Sequence, residues 1–356
     1  MFDLRLIILL APSGKLRYSP DPPVTHDLHG SPMDNRIEKL LTNLCRSLVS
    51  HRTGFVRIQW LLLTNTYKPH PELTQLLSHL QHLPELMALA HQLPRHKYRF
   101  SETIEVLLAC CDQYPLPRNV AAFTHVCQYP EGLDYPEFHG YICIFLIELR
   151  NRLLSSAYQY EVVDYEREAK NNAIECQRYV DRLFNQWSSL VVIRIDLSYR
   201  KDITVEFETL EADLTRLHTN RRHNELFAHL SGYITKIEYG IEKQLHVHAL
   251  WFFNGHQRQG RSDSYIAQAI GEYWVDVITA GRGVYWNCND NKHRYLHLGI
   301  GLVKARDSDK RLNLLRAIDY LCKKGTQVIK PHDYPKTKLL RKGQLTDNPN
   351  LGRPRL

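Results

Sequence analysis

Two histidines separated by one residue are the clearest candidates for chemistry in this sequence of 356 residues. His246 and His248 lie in the apolar run 244–253, which has the composition of a β-strand. Because alternate side chains of a strand share a face, the two imidazoles lie side by side. Glu238 lies on a second predicted strand, 231–239, and hairpin pairing brings its carboxylate beside the histidines. These three groups can hold a divalent cation, although unligated surface or core histidines give the same spacing.

The last predicted helix, residues 310–324, offers a nucleophile. With about 100° between successive residues, its apolar side chains form one stripe that should pack on a sheet. The stripe consists of Leu314, Leu315, Ile318, Leu321 and Cys322. Tyr320 lies roughly opposite the stripe, and Lys324 follows one turn later on the same polar face, with Lys323 as its substitute. A half-exposed tyrosine that only covers the helix surface is the alternative.

The elements that must position these residues follow a mainly helical region, residues 1–187. Helices are predicted there at 34–49, 71–93, 101–112, 138–157 and 162–187. Residues 188–330 are predicted to fold as a strand at 190–197, a helix at 208–228, the two strands named above, a helix at 263–279, a fourth strand at 294–303 and the helix of Tyr320. This β-α-β-β-α-β order predicts an α+β fold with a ferredoxin-like sheet, one face covered by helices and one face open. Residues 331–356 are predicted to form a flexible basic tail.

The charge of the chain is concentrated in its C-terminal half. Residues 1–188 contain 19 Lys and Arg against 20 Asp and Glu, whereas residues 189–356 contain 27 against 18. A one-sided basic excess favours a polyanionic partner, most often a nucleic acid. A charge that only maintains solubility is the alternative.

Several function classes are excluded. The apolar run at residues 6–11 is shorter than the about 7–15 residues of a signal sequence. No run approaches the about 20 apolar residues of a membrane span, so we expect a cytoplasmic protein without a membrane partner. The eight cysteines form no Cys-x-x-Cys pair and are expected to be reduced. Residues 13–16, Ser-Gly-Lys-Leu, lack the first glycine and the final hydroxyl of a phosphate-binding loop, so no ATPase is expected. A cupin-type oxygenase is excluded because no glutamate follows His248 at positions 251–253.

Taken together, the motifs resemble the HUH endonucleases of rolling-circle replication. The sequence is most similar to the inovirus-type replication proteins and the YagK/YfjJ C-terminal domain family, over about residues 188–330. The resemblance is carried by Val-Ile-Arg-Ile-Asp at 192–196, Glu238, His-Val-His at 246–248 and Tyr-Leu-Cys-Lys-Lys at 320–324. The first motif departs from that of many rolling-circle initiators, which is apolar with a threonine, because this strand carries Arg194 and Asp196.

The resemblance implies an endonuclease that nicks single-stranded DNA at a replication origin. His246, His248 and Glu238 would bind Mg²⁺ or Mn²⁺, and Tyr320 would attack the phosphate to leave a 5′-phosphotyrosine and a free 3′-hydroxyl. Lys324, or Lys323, would assist ionisation of the tyrosine. A host polymerase and a host helicase would then act on the nicked strand. A relaxase or a single-tyrosine transposase uses the same chemistry on other substrates.

Basic residues of the second region are predicted to follow the phosphates of the DNA strand. The predicted contacts are Arg194, Asp196, Arg221, Arg222, Arg294, Arg306, Lys310 and Arg311. Tyr285 and Trp286 are candidates for stacking on unpaired bases, and His297 is a candidate for a further ligand. The competing hypothesis is a non-catalytic DNA-binding or regulatory protein on the same fold. Such a protein needs the basic surface but does not need the histidines or Tyr320.

Overall fold

An antiparallel β-sheet forms the centre of the C-terminal half and carries the predicted ligands. In the computed structural model its long strands are β2 (Ser189–Tyr199), β3 (Leu230–Gly240) and β4 (Gln244–Asn254). β-Branched, aromatic and other apolar residues dominate these strands, which suits a pleated and buried surface. The structure describes residues 43–45, 48–49, 77–92, 97–128, 136–240, 244–258, 260–322, 329–331 and 338–345.

The strand order places β4 between β2 and β3. Two short strands share the outer edge of β2: β5 (Gly283–Asn287) pairs with its second half and β6 (Gly301–Lys304) with its first half. On the other side, β3 pairs with β7 (Ile329–Pro331) and β8 (Leu340–Lys342), and β7 pairs with β1 (Tyr98–Phe100). The sheet therefore runs β1-β7-β3-β4-β2-β5, and every pairing in it is antiparallel.

Helices pack on both faces of this sheet, so the chain is a mixed α+β protein. The helices on the two faces are four of the eight α-helices whose bounds lie in the described residues. In chain order the eight are α1 (Leu83–Gln92), α2 (Glu102–Gln113), α3 (Val120–Gln128), α4 (Pro136–Leu153), α5 (Ser156–Gln186), α6 (Phe207–Asn220), α7 (Asp263–Tyr273) and α8 (Ser308–Cys322). Helix α5 leads into β2, α6 connects β2 to β3, and α7 connects β4 to β5. Among the described helices, none combines the length and the apolar character that a membrane span requires.

Alternation along the strands produces one hydrophobic core on each face of the sheet. On one face, odd-numbered residues such as Ile193 and Trp251 pack against α6 and α7. On the other face, even-numbered residues such as Val192 and Leu250 pack against α5 and α8. The sequence predicts that this second face is open, and that prediction is wrong. The two helices cover one half of the face, and the polar residues of the other half are buried.

Helix α5 explains why the second face is covered. The sequence predicts this helix at 162–187, as the last element of the mainly helical N-terminal region. Its C-terminal half, however, is amphipathic and buries Tyr179, Leu183 and Phe184 in the same core as Val192. The helix is therefore part of the packing unit that surrounds the sheet.

The N-terminal helices form a separate core that contacts the sheet at one edge. Helices α2 and α4 pack together with Phe100 of β1 in this core. The rings of Tyr98 and Tyr239 lie 4.8 Å apart, centre to centre. Tyr239 follows Glu238 on β3, so the helical region meets the sheet beside a predicted metal ligand.

The predicted fourth strand, 294–303, is present only as β6. The preceding segment leaves the edge of β2, and Lys292–Arg294 forms a 3₁₀ turn. The side chain of Asn289 occupies the gap between β5 and β6. Its amide donates to the carbonyl of Val192 at 3.0 Å, and its oxygen accepts from the backbone N–H of Arg194 at 2.8 Å. A side chain thus supplies hydrogen bonds that a continuous strand would otherwise make.

The region predicted to be a flexible tail is ordered over residues 338–345 and contains β8. Leu339 is buried in the core next to this strand, which gives the basic segment an apolar anchor. The seven cysteines whose side chains are described are free and buried, as the sequence predicts.

Candidate metal centre

Glu238, His246 and His248 converge on the sheet face that α5 and α8 partly cover. Glu238 lies directly opposite His246 in the register of β3 and β4, and His248 is the next residue of β4 on that face. The three residues are only 8%, 6% and 8% exposed, respectively. The Oε2 atom of Glu238 lies 3.4 Å from Nε2 of His248 and 3.8 Å from Nε2 of His246. The structure therefore brings the three predicted ligands together.

The remaining nitrogen of each imidazole is held by a second group. Nδ1 of His246 lies 3.0 Å from the carbonyl oxygen of Gln244 and donates to it. Nδ1 of His248 donates to the carboxylate of Asp196 at 2.6 Å. Both rings therefore turn Nε2 toward Glu238, and metal-binding histidines in proteins are oriented in this way. The sequence analysis assigns Asp196 to DNA contact, whereas the structure uses it to hold His248.

The carboxylates around His248 favour its protonated form. Burial lowers the pKa of His248, but Asp196 and Glu238 outweigh burial and raise it from 6.5 to about 9. Burial raises the pKa of Glu238, but the histidines and Lys236 outweigh burial and lower it from 4.5 to about 2. A divalent cation that binds Nε2 must displace a proton, because an imidazole ligand is neutral.

The spacing and the chemistry of the three side chains fit a divalent cation. Two donors about 2.1 Å from one ion lie roughly 3.0–3.4 Å apart when the angle between them is about 90–110°. The separations of 3.4 Å and 3.8 Å from Glu238 are at or slightly above this range, and the three ligand atoms all lie within 4.8 Å of one another. The side chains must therefore rotate toward one another to hold one ion. Two imidazoles with one carboxylate suit Mn²⁺ better than Mg²⁺, which prefers oxygen ligands.

The tyrosine helix, α8, packs on the same face of the sheet. Its apolar stripe is buried as the sequence predicts, with Leu314, Ile318, Leu321 and Cys322 in the core. Tyr320 is half-buried. Burial lowers the pKa of Arg194 on β2, but its anionic neighbours, Asp196 first and Tyr320 among them, outweigh burial and raise it. Tyr320 therefore lies near the strand that carries Asp196. Lys323 and Lys324 lie outside the described residues.

A known protein family matches the part of the chain that forms the central strands and the helices packed on them. Residues 159–334 match the model of the YagK/YfjJ C-terminal domain family. The match supports that family for this half of the chain. The matched residues include most of α5, the central strands, the clustered ligands and Tyr320. No curated protein and no solved structure matches the chain.

Two basic residues predicted to bind DNA lie near the metal-ligand cluster. Arg194 lies two residues before Asp196, so both project from the same face of β2. Trp286 of β5 is opposite Asp196 in the sheet. The guanidinium carbon of Arg294, which is exposed, lies 5.3 Å from the centre of the Trp286 ring. A cation and an aromatic ring thus border the cluster at the sheet edge.

The other basic residues predicted to bind DNA do not form one continuous surface with this cluster. The guanidinium carbon of Arg221 lies 4.7 Å from the ring centre of Tyr233, on the opposite face, and Arg222 follows it. Arg306 lies between β6 and α8, whereas Lys310 and Arg311 lie in the first turn of α8. Arg311 binds Asp181 and covers Phe184, while Lys310 donates to the carbonyl of Leu302 at 2.8 Å. These two residues are engaged in contacts within the protein. His297 is exposed and bonds to Arg316 at 3.2 Å, away from the three ligands.

Lys236 is the residue near the centre that the sequence analysis missed. It lies opposite His248 on β3 and is 3% exposed. Its ammonium contributes to the lowered pKa of Glu238. The signal available in the sequence is its spacing of two residues from Glu238, which places both side chains on one face of a strand.

Proposed function

We propose that the protein is a metal-dependent endonuclease that nicks single-stranded DNA and forms a covalent 5′-phosphotyrosine bond through Tyr320. One observation carries the proposal: two imidazoles and a carboxylate converge on the sheet face against which the helix of Tyr320 packs. The family match to residues 159–334 covers both parts of this arrangement. The basic excess of the C-terminal half supports a polyanionic substrate.

The chain order of the central strands supports a ferredoxin-like interpretation of the sheet. Strands β2, β3, β4 and β5 follow one another in the chain but lie in the spatial order β5-β2-β4-β3. Helices α6 and α7 join the first and last pairs and lie on one face. We interpret this as the β-α-β-β-α-β arrangement expected of an HUH endonuclease, with α5 and α8 added on the second face.

In the proposed reaction, His246, His248 and Glu238 hold a divalent cation, Mg²⁺ or Mn²⁺, and Asp196 fixes the ring of His248. The bound ion would polarise the scissile phosphate and offset the charge that develops on its oxygens. The phenol oxygen of Tyr320 forms a bond to phosphorus as the bond from phosphorus to the 3′-oxygen breaks. The phenol proton is lost and the 3′-oxygen gains one, so the products are a 5′-phosphotyrosine and a 3′-hydroxyl. A host polymerase could extend that hydroxyl while a host helicase separates the strands.

Detection of a covalent adduct tests the proposal. Purified protein with Mn²⁺ and a pool of random-sequence single-stranded oligonucleotides should give a DNA-linked band on a denaturing gel. Mass spectrometry of the trimmed adduct should place the nucleotide on Tyr320. Tyr320→Phe should abolish the band, whereas Tyr265→Phe, which removes a 72% exposed phenol elsewhere, should retain it.

The same experiment separates the proposal from its alternative. His246→Ala and His248→Ala should also lose the adduct. If the wild-type protein binds the oligonucleotides but forms no adduct, or if Tyr320→Phe forms as much adduct as the wild type, the nuclease hypothesis is wrong. DNA binding that persists in all of these variants would then favour a non-catalytic DNA-binding protein.

A further inference from the structure

Arg194 is a cation in the middle of a mainly apolar strand. Its neighbours Val192, Ile193 and Ile195 are fully buried. Its side chain projects from the face that carries Asp196, and the register places it opposite Leu250 of β4. His248 is opposite Asp196, so Arg194 belongs to the next pair of residues on the same face of the sheet.

The described residues do not provide a hydrogen-bond acceptor for every donor of the Arg194 guanidinium. Its Nε atom is buried and has no hydrogen-bond partner among the described residues. Its guanidinium carbon lies 5.6 Å from the ring centre of Tyr295, which supports one side of the group. A buried donor without an acceptor is unfavourable, so an anion that accepts from Nε would stabilise this position.

The guanidinium lies near both the carboxylate that orients His248 and the tyrosine helix. Asp196, which orients His248, and Tyr320 both contribute to the raised pKa of Arg194, against the effect of burial. One residue of a rigid strand is thus near both parts of the proposed active site. An arginine presents a planar set of donors that matches two oxygens of a phosphate, whereas a lysine offers a single point charge.

We infer that Arg194 is a catalytic residue that binds the non-bridging oxygens of the scissile phosphate while Tyr320 attacks it. The inference rests on the proposed nicking activity. It assigns stabilisation of the negative charge on the phosphate to a residue of β2, in addition to any contribution from Lys323 or Lys324. Arg194 forms no covalent bond and transfers no proton. It stabilises negative charge on the phosphate oxygens as the bond from Tyr320 forms and the bond to the 3′-oxygen breaks.

The first test measures chemistry. Single-turnover adduct formation with Mn²⁺ and saturating oligonucleotide pool should slow about 100-fold or more in Arg194→Lys, which keeps the charge but loses the paired donors. Guanidinium ion added to Arg194→Ala should restore at least about tenfold of the lost rate. Arg216→Lys is the matched control, since Arg216 lies on α6 and donates to the carbonyl of Ile278 at 3.1 Å. Its rate should stay within about twofold of the wild type. A rate for Arg194→Lys within about threefold of the wild type would overturn the inference.

The second test measures binding and does not depend on nicking. In the Tyr320→Phe background, Arg194→Met should reduce the slope of log Kd against log salt concentration by about 0.7, the value for one phosphate contact on a single strand. Arg194→Lys should keep the slope. If the slope changes as expected but the wild type forms no adduct, the nicking proposal fails while the phosphate contact stands. If the wild type forms an adduct and Arg194→Met changes neither the slope nor the rate, the inference about Arg194 fails alone.

Discussion

Asp196→Asn tests whether the carboxylate behind His248 is part of the metal centre. Asparagine keeps an oxygen that can accept from Nδ1 of His248, so the substitution removes the charge while it preserves the shape. Asp196 and His248 are both buried, and their hydrogen bond is 2.6 Å long. We expect weaker metal binding, because the carboxylate increases the basicity of the imidazole and attracts the ion.

The size of the effect can be bounded from the geometry. The measured bond, the width of the imidazole ring and a metal–nitrogen distance of about 2.1 Å place the ion about 7 Å from the carboxylate. At this distance a double charge and a single charge interact by about 1 kcal/mol in water and about 5 kcal/mol at an effective dielectric constant of about 20. Loss of an outer partner of a metal ligand typically weakens binding about 10–100-fold, which is about 1.4–2.7 kcal/mol and lies between these bounds.

Isothermal titration calorimetry of Mn²⁺ into the purified protein measures this difference. Asp276→Asn is the matched control, because it removes the same charge from an exposed position beyond α7. The control should bind Mn²⁺ with the wild-type affinity. An affinity of Asp196→Asn within about threefold of the control would refute the reasoning, since the carboxylate behind His248 would then not influence the ion.

Three further predictions concern the ion, the pH dependence and the packing of α8. Mn²⁺ and Co²⁺ should bind more tightly than Mg²⁺ in the same calorimetric titration, because two of the three ligands are imidazoles; equal affinities would contradict the assigned ligand set. In the presence of a chelator, the contribution of His248 to the free energy of unfolding should be greatest below pH 6.5. It should be lost as the pH rises through about 9, because folding raises the pKa of this group. Urea midpoints should show this fall, and His248→Gln should flatten it. Gly299→Ala should destabilise the protein by about 1–3 kcal/mol, because a Cβ would overlap the backbone of Asn313 and Leu314 in α8. An unchanged melting temperature would show that α8 can move away from the sheet at no cost.

The parts of the centre that could be predicted from the sequence are those that depend on short-range geometry. A hairpin with a short turn fixes the pairing of Glu238 with His246, and strand alternation adds His248. The apolar stripe of α8 likewise follows from helical periodicity within fifteen residues. These features need no knowledge of distant contacts.

The parts that could not be predicted depend on long-range pairing. Asp196 and His248 are 52 residues apart, and nothing local indicates that β2 lies beside β4 in the register that joins them. The packing of α5 on the sheet is hidden by the charged residues at the start of that helix. The sequence also does not indicate where β5 ends, because the side chain of Asn289 makes hydrogen bonds to β2 that the backbone of a longer strand would otherwise make.

The balance of charge around the centre gives metal binding a second consequence. On this face, Asp196 and Glu238 oppose the cations Lys236 and Arg194, and protonated His248 adds one positive charge. A divalent cation that displaces the proton of His248 replaces one positive charge with two. The face therefore becomes more positive when the metal binds, which favours a phosphate next to Arg194. Because linkage is reciprocal, bound DNA should strengthen metal binding by the same factor as the metal strengthens DNA binding. If the site binds the ion as we propose, Glu238 would hold the cation, and both carboxylates would offset the charges of Lys236 and Arg194, which would otherwise repel it before the DNA arrives.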